Sequence, residues 1–404
     1  EGILMSRGLF VAMEEDTDIP DEGNIEQSEF QDLEDKISNQ EISDLEAKAI
    51  DTVEATDKAL CAIEELTDIA MIMADATNNG EGIPEDAARM AEVATEAICA
   101  RLKYNPQRPI VPATESFTVK SASLQATKYT LETIGETIDA IWTAIKKFPR
   151  RVWEAIKSLW SRLNDQIAKN EGRIHAVVKK MTSAKLSNKV VNKDHKLNLT
   201  SYCEAFNAKD EKGLLQTAIN TMSSHEPLIE ARQEINKNIV KHLDQIMNDK
   251  DLSSVVDALS KDLFVNGTDI NLGFGHIIKA KEDGDKGSIL SMTRNKTKVE
   301  KAEGQALDMK DLEILISNAK KLHEKMRSAN EHVKEAEHVL KKVTDFATKM
   351  SKVSDNSSEG KRKAGIMRNI QKAFVVFNMN LPVIDAKLVK ASVDLAELSL
   401  TGYI

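Results

Sequence analysis

Aromatic side chains are scarce in this 404-residue chain, at 4% of the total, and there are only three cysteines. Cys61, Cys99 and Cys203 are widely spaced, and no CxxC pair or histidine at ligand spacing accompanies them. That pattern argues against a disulfide framework or a zinc site and makes a reducing, intracellular setting the default. Long apolar runs are missing too. No stretch approaches the roughly 18 consecutive apolar residues of a membrane-spanning helix. A mean hydropathy of −0.37 with 30% charged residues describes a water-soluble chain. Residues 1–10 lack the basic, apolar and small-residue order of a secretory signal. The chain opens on Glu1, which leaves open whether a piece precedes it or Met5 is the start.

Catalytic signatures are equally thin. There is no GxSxG elbow, no HExxH and no kinase set, and Cys203 has no flanking pattern of a thiol enzyme, so neither an enzyme nor a cofactor is expected. His323, His332 and His338 lie in a Lys/Glu-rich helical stretch without the spacing of a metalloprotease, and are expected on a solvated face, with no metal. Gly273-Phe274-Gly275-His276 resembles a fragment of a phosphate loop. It lacks the third glycine, the Lys-Ser/Thr pair and the surrounding strand–helix units. Asp283-Gly284-Asp285 resembles part of a calcium loop, but no Glu closes it at the twelfth position. Plain turns account for both.

What the chain does have is an uneven distribution of charge. The net charge is −10, but residues 1–115 carry 28 acidic and 8 basic side chains, a balance of −20, whereas residues 116–404 carry 37 and 47, a balance of +10. An acidic polypeptide is joined to a basic one. Residues 14–35 are rich in Asp and Glu, contain Pro20 and Gly23, and have few large apolar side chains, which predicts a disordered lead over 1–36. From Ile37, apolar residues recur at helical spacing through Ile42, Leu45, Ile50, Val53, Leu60, Ile63, Leu66 and Ile69, the stripe of an amphipathic helix running toward Ala76. Asn78 to Gly82 ends it, and Pro84 opens a second helix bearing Met90, Val93, Ile98 and Leu102. Pro106, Pro109 and Pro112 then make 105–115 an extended, accessible linker.

The basic part continues as helix. One period runs from Ser121 to Lys169, kinked or split at Pro149, and further helices are expected at 197–222, 227–263, 308–352, 360–378 and 382–400. Ser223-Ser224-His225 is a cap candidate before Pro227, and 355–358 a loop. Turn residues flanking apolar runs predict a small β-hairpin within 264–297. The expected fold is therefore all-α, an elongated multi-helix bundle with one small inserted β-hairpin. The segments are the lead at 1–36, an acidic helical stretch at 37–104, the linker at 105–115, a basic helical domain at 116–263, the hairpin insertion at 264–297 and a C-terminal bundle segment at 298–404.

All three tryptophans, Trp142, Trp153 and Trp160, are interleaved with Lys146, Lys147, Arg150, Arg151, Lys157 and Arg162. Such a helix can contact nucleic acid or lie in a membrane interface with Phe148. Alternatively, the tryptophans anchor a core and the cations form its wet face.

Ala113-Thr114-Glu115 followed by Ser116 resembles the small-x-Glu sites cut by the prohead proteases of jumbo tailed bacteriophages. The same pattern ends at seven other glutamates, but only at Glu115 does it coincide with the proline-opened loop and the charge reversal. The segment 142–163 resembles the Trp/Lys-rich stretches of phage internal head proteins. That resemblance implies a non-enzymatic protein of the virion interior, present in the host cytoplasm during assembly. It also implies an acidic propeptide removed after Glu115, and a basic helical mature chain packed with DNA and sometimes ejected with it. The implied partners are the prohead protease, other core or capsid proteins, packaged DNA and, during ejection, membrane. A membrane-active helical protein of the ejection or pore-forming type and an ordinary helical adaptor are the competing readings. On composition alone, the acidic segment is equally well a permanent domain with its own partner.

Overall fold

The structure is a computed structural model that describes residues 23–112, 120–248, 270–282, 288–294, 299, 301–328, 333–350 and 358–404. Helices dominate it. The acidic part forms α1 (Gly23–Asn78) and α2 (Glu85–Arg101), an antiparallel pair joined by a tight turn. Gly80 and Gly82 take left-handed φ there, both +70°. Gly82 has a second reason to lack a side chain, because a Cβ would sit 2.8 Å from the Leu124 backbone nitrogen. Pro84 is the N-cap of α2, and Glu85 and Asp86 occupy its first turn, where acidic groups face the helix's positive end. Helix α1 begins at Gly23, so residues 23–36 are helical rather than part of a disordered lead; residues 1–22 lie outside the described residues.

The basic part opens with α3 (Lys120–Ile145) and α4 (Phe148–Leu186). Pro149 splits them by sitting in the first turn of α4, where its missing N–H costs nothing. Next come the two-residue strand β1 (Leu197–Asn198), the short helix α5 (Thr200–Phe206) and α6 (Leu214–Met247). The helix expected over 197–222 is thus a strand, a short helix and the start of α6. The break expected at Ser223–Pro227 is absent, since α6 runs straight through Pro227. Instead of capping a helix, Ser224 donates its hydroxyl to the carbonyls of Thr221 and Asn271, and His225 is fully buried. Tertiary partners on both sides hold the two halves of α6 in line.

Three antiparallel strands, β2 (Ile270–Gly273), β3 (His276–Glu282) and β4 (Ser288–Arg294), replace the predicted two-stranded hairpin, in the order β2-β3-β4. Register runs from His276 opposite Arg294 to Glu282 opposite Ser288. Of the two turns expected to flank these strands, at 266–269 and 282–285, the first and all of the second but Glu282 lie outside the described residues. β5 (Glu303–Gly304) pairs with β1. The stretch expected as one helix over 308–352 contains α7 (Met309–Ser328) and α8 (Val333–Met350). Then α9 (Ser358–Val375) passes through a π-helical turn, Val376–Asn380, into α10 (Leu381–Thr401).

One apolar core joins these elements. α1 lies against α3, α4 and α9, and α10 lies against α4, α6 and α7. α10 is apolar nearly all round and its residues from Leu381 to Val389 are buried apart from Lys387, as suits a central helix. A polar network crosses this centre. Asn236 on α6 and Asn378 in the π turn exchange reciprocal side-chain hydrogen bonds of 3.0 Å, and Asn378 also donates to the Phe374 carbonyl at 3.0 Å. The extra residue of the π turn aims Asn378 at its partner, so that both buried amides are satisfied.

Candidate nucleic-acid interface and its acidic cover

The interface between the acidic layer and the basic body is built first by apolar burial. Ile42, Leu60, Ile63, Leu66, Ala70 and Met73 on α1 are all buried in the same core as Ile134, Ile138 and Ile141 on α3 and Ile156 and Leu163 on α4. At about 1.5–3 kcal/mol for each large apolar side chain buried, this stripe is the main attachment of α1. Backbone groups add a second tie. The Ile83 N–H donates to Thr127 Oγ1 at 2.9 Å, and Ser123 Oγ donates to the Ile83 carbonyl at 2.7 Å. The face of α3 turned inward carries Thr127, Thr130, Thr133 and Thr137, whose hydroxyls donate to carbonyls one turn back, so each is satisfied while buried.

Ion pairs complete the interface, and they cross the charge boundary. Asp57 receives two hydrogen bonds from Arg368, from Nε at 2.5 Å and Nη2 at 3.3 Å, with Lys372 Nζ 3.4 Å away. Asp68 accepts from Lys361 through both oxygens at 2.6 and 2.7 Å, and Glu41 lies 3.2 Å from Arg162. Burial works against the charge on Arg368, but the Asp57 hydrogen bond and charge outweigh it and hold the guanidinium above its ordinary value. The two-pronged Arg368–Asp57 pair has the geometry of the stronger class of ion pair, while the exposed Arg162–Glu41 pair contributes little.

Residues 105–112, the described part of the linker expected to be extended and accessible, form neither helix nor strand and are not accessible throughout. Ile110 and Val111 are buried, at 3% and 4% exposure, and the Arg108 guanidinium lies 4.6 Å from the ring centre of Tyr129 on α3, beside Glu136. Residues 113–119, and with them Ala113, Thr114, Glu115 and Ser116, lie outside the described residues.

The tryptophans do not form a surface. Trp142 is buried and meets Phe346 edge to face, with centroids 6.2 Å apart. Trp160 is 6% exposed, with the Arg232 guanidinium 5.2 Å from its ring centre. Trp153 is partly buried against the core under the Lys157 ammonium, 5.0 Å away. Trp142 and Trp160 are therefore corrected from contact residues to core anchors, because their large apolar rings are worth more inside. This takes away most of the residue basis for a membrane-inserting helix, and no helix among the described residues is long and apolar enough to cross a membrane.

The cations interleaved with them fare differently. Lys147, Arg150, Arg151, Lys157 and Arg162 are exposed and Lys146 is half-buried. Arg150 pairs with Glu154 one turn on, at 3.3 Å. Lys146, Lys147, Arg150 and Arg151 lie at the α3–α4 corner, and Arg151 shares a surface groove with Asp51 of α1 and with Tyr104, which precedes the linker. Sequence reasoning missed Lys361, Arg368 and Lys372, more than 200 residues away, because only the fold brings α9 against α1.

Among the other motifs, Asp283-Gly284-Asp285 lies outside the described residues, and the glycine turn is structural. In the Gly273-Phe274-Gly275 turn, every N–H that could cradle a phosphate is engaged. Gly273 donates to Asn271 Oδ1 at 3.0 Å, Phe274 to the Ala205 carbonyl at 2.7 Å, and Gly275 to Asn207 Oδ1 at 2.7 Å. His323 is buried rather than solvated, while His338 is exposed and His332 lies outside the described residues. Among the described residues no cluster of three or more potential metal ligands occurs. Burial raises the thiol pKa of Cys61, Cys99 and Cys203, which disfavours a reactive thiolate.

At the centre, His225 lies between Asp385 and the Leu272 carbonyl. A carbonyl oxygen only accepts, so Nε2–H donates to Leu272 at 3.1 Å, and Nδ1 is hydrogen-bonded to the Asp385 carboxyl. Burial pushes Asp385 up, opposed by His225 and Arg232. Burial also lowers Arg232, to about 10, while Asp385 and Glu335 favour its charge. This polar knot is wholly enclosed and locks α6, β2 and α10 together.

An acidic helical layer is thus docked on a basic helical body across one shared apolar core. The chain belongs to the phiKZ-like phage internal head proteins, whose family model matches residues 32–378. No curated protein and no solved structure shows significant similarity to it.

Proposed function

We propose that this chain is a non-catalytic structural protein of the phage head interior. Its basic helical body associates non-specifically with packaged DNA, and its acidic α1–α2 layer is an intramolecular mask. The observation that carries this reading is the set of ion pairs by which Glu41, Asp57 and Asp68 occupy Arg162, Lys361, Arg368 and Lys372. A cation held by a carboxylate is already neutralised and cannot displace the counterions condensed on DNA phosphates, so masking suppresses binding until the pairs are exchanged.

In this proposal the prohead protease cuts after Glu115 in the assembling head, beside the other core and capsid proteins, and the mature chain from Ser116 stays in the capsid lumen or leaves with the genome. The shared apolar core changes one step of the simplest scheme: a single cut does not free the leader. Removing α1 would uncover Ile134, Ile138 and Ile141, so the cut segment stays docked until polyanion or another protein displaces it.

Two measurements test the reading. Mass spectrometry of the protein from mature particles is expected to find an N-terminus at Ser116; recovery of only the intact chain defeats the processing step. Separately, the full chain with Glu41→Gln, Asp57→Asn and Asp68→Asn is expected to bind duplex DNA more tightly and with a steeper salt dependence than the unaltered chain. Unchanged binding defeats the mask.

A further inference from the structure

Among the described residues, the large apolar side chains left exposed, apart from Val178 on α4 at 43%, fall into two groups. Ile72, Met90 and Val93, at 69%, 74% and 65% exposure, belong to the acidic α1–α2 hairpin. The hairpin is antiparallel, with Arg101 paired to Glu65, so Ile72 lies level with Val93, and Met90 is one turn away on the same face. Residues 65–96 around them carry eight acidic side chains and one arginine.

The second group lies at the far end of α4. Leu186 and Val190 are 80% and 63% exposed, and Ile404 is 69% exposed. Val190 and Ile404 exchange backbone hydrogen bonds of 3.2 and 3.1 Å, and Lys185 is paired to Glu313 next to the exposed Ile314, which gathers these residues into one patch. Residues 178–196 carry six lysines and one aspartate. Single exposed apolar residues are ordinary; two clusters with opposite charged rims are not.

The two patches cannot meet within one chain. α4 runs antiparallel to α1, since Arg162 reaches Glu41 and Arg151 lies in the groove with Asp51. From that crossing, Ile72 lies 31 residues along one helix and Leu186 lies 24 residues along the other in the opposite sense. At 1.5 Å per residue the patches are about 80 Å apart. Nor can either pair favourably with its own kind, because like charges would face each other.

We propose that these patches bind each other between copies of this chain, the acidic apolar end of one seated on the basic apolar end of the next. Such a contact is heterologous, so it builds rings or open filaments rather than a closed two-fold dimer. Because Ile72, Met90 and Val93 precede Glu115, loss of the leader would remove one half of every contact. That consequence rests on the processing proposed above, and the pairing itself does not.

The test uses the uncut chain in sedimentation velocity at low and high salt. The unaltered chain is expected to grow in mass with concentration at low salt and to fall back toward monomer at high salt. Met90→Lys with Val93→Lys, and separately Leu186→Glu with Val190→Glu, are each expected to be monomeric alone. Mixed, they are expected to give one-to-one dimers and nothing larger, since only one intact contact remains between them. Circular dichroism of each variant checks its fold, and the Ser replacements Met90→Ser with Val93→Ser provide a second pair without a charge change. A monomeric unaltered chain overturns the proposal. So does a variant that still forms the full assembly, or a mixture that yields no dimer.

Discussion

The acidic hairpin and the C-terminal α9–α10 pair are both helical, yet they are held by opposite means. α1 buries a single stripe and turns a charged face outward, with its ion pairs at the rim. α10 is buried on nearly all sides and answers its few polar groups internally, through His225–Asp385 and Asn236–Asn378. A cover can be removed in principle and leave a body behind; a central helix cannot. The two regions should therefore respond differently to equally drastic substitutions.

The largest effect belongs to the centre. Asp385→Ala leaves His225 and Arg232 without their buried carboxyl partner, and about 3–5 kcal/mol of global stability is expected to go, read as a shifted urea midpoint. A midpoint moved by less than a quarter of that would mean the knot is not integral to the fold. Leu66→Ala, in the cover, is expected to cost about 2–5 kcal/mol by cavity formation. Hydrogen exchange should then show α1 opening at lower free energy than α10; equal opening would erase the distinction between cover and centre. Gly82→Ala combines left-handed φ with a 2.8 Å clash against the α3 backbone, and an expected cost on the order of 1–3 kcal/mol should again appear mainly in α1 and α2.

A pH effect sharpens the contrast further. Burial lowers the His323 pKa below 6.5, helped by Arg327 and His175 and opposed by Glu171 and Glu324. The folded state therefore prefers the neutral ring. That preference contributes stability above pH 6.5, and the contribution is lost as pH falls through the depressed value. His323→Leu is expected to flatten the decline in thermal midpoint between neutral and mildly acidic pH, and an unchanged slope would assign the decline elsewhere. Smallest of all, Trp153→Ser on the partly buried rim should disturb folding less than Trp160→Ser, whose ring is enclosed under Arg232.

The same contrast explains what could be read in advance. The α1 stripe, the turn at Asn78–Gly82, Pro84 and the split at Pro149 all follow from local rules, because periodicity and proline act within a few residues. Pro227 misled those rules because β2 and α10 hold α6 straight across it, and the π turn has no local signature apart from a partner 142 residues away. The tryptophan stretch showed period but not direction. A stripe of rings beside cations is the same pattern whether it meets a core or an open surface.

The sequence by itself determined that this is a helical protein divided into an acidic and a basic part, because charge balance and apolar period are properties of composition and order. Only the tertiary structure decided that the acidic part is a docked layer, that Trp142 and Trp160 point inward, and that Asp57 meets Arg368 from the other end of the chain. Those outcomes depend on which faces lie opposite each other, and side chains hundreds of residues apart become neighbours only when burying a shared apolar surface brings their helices together.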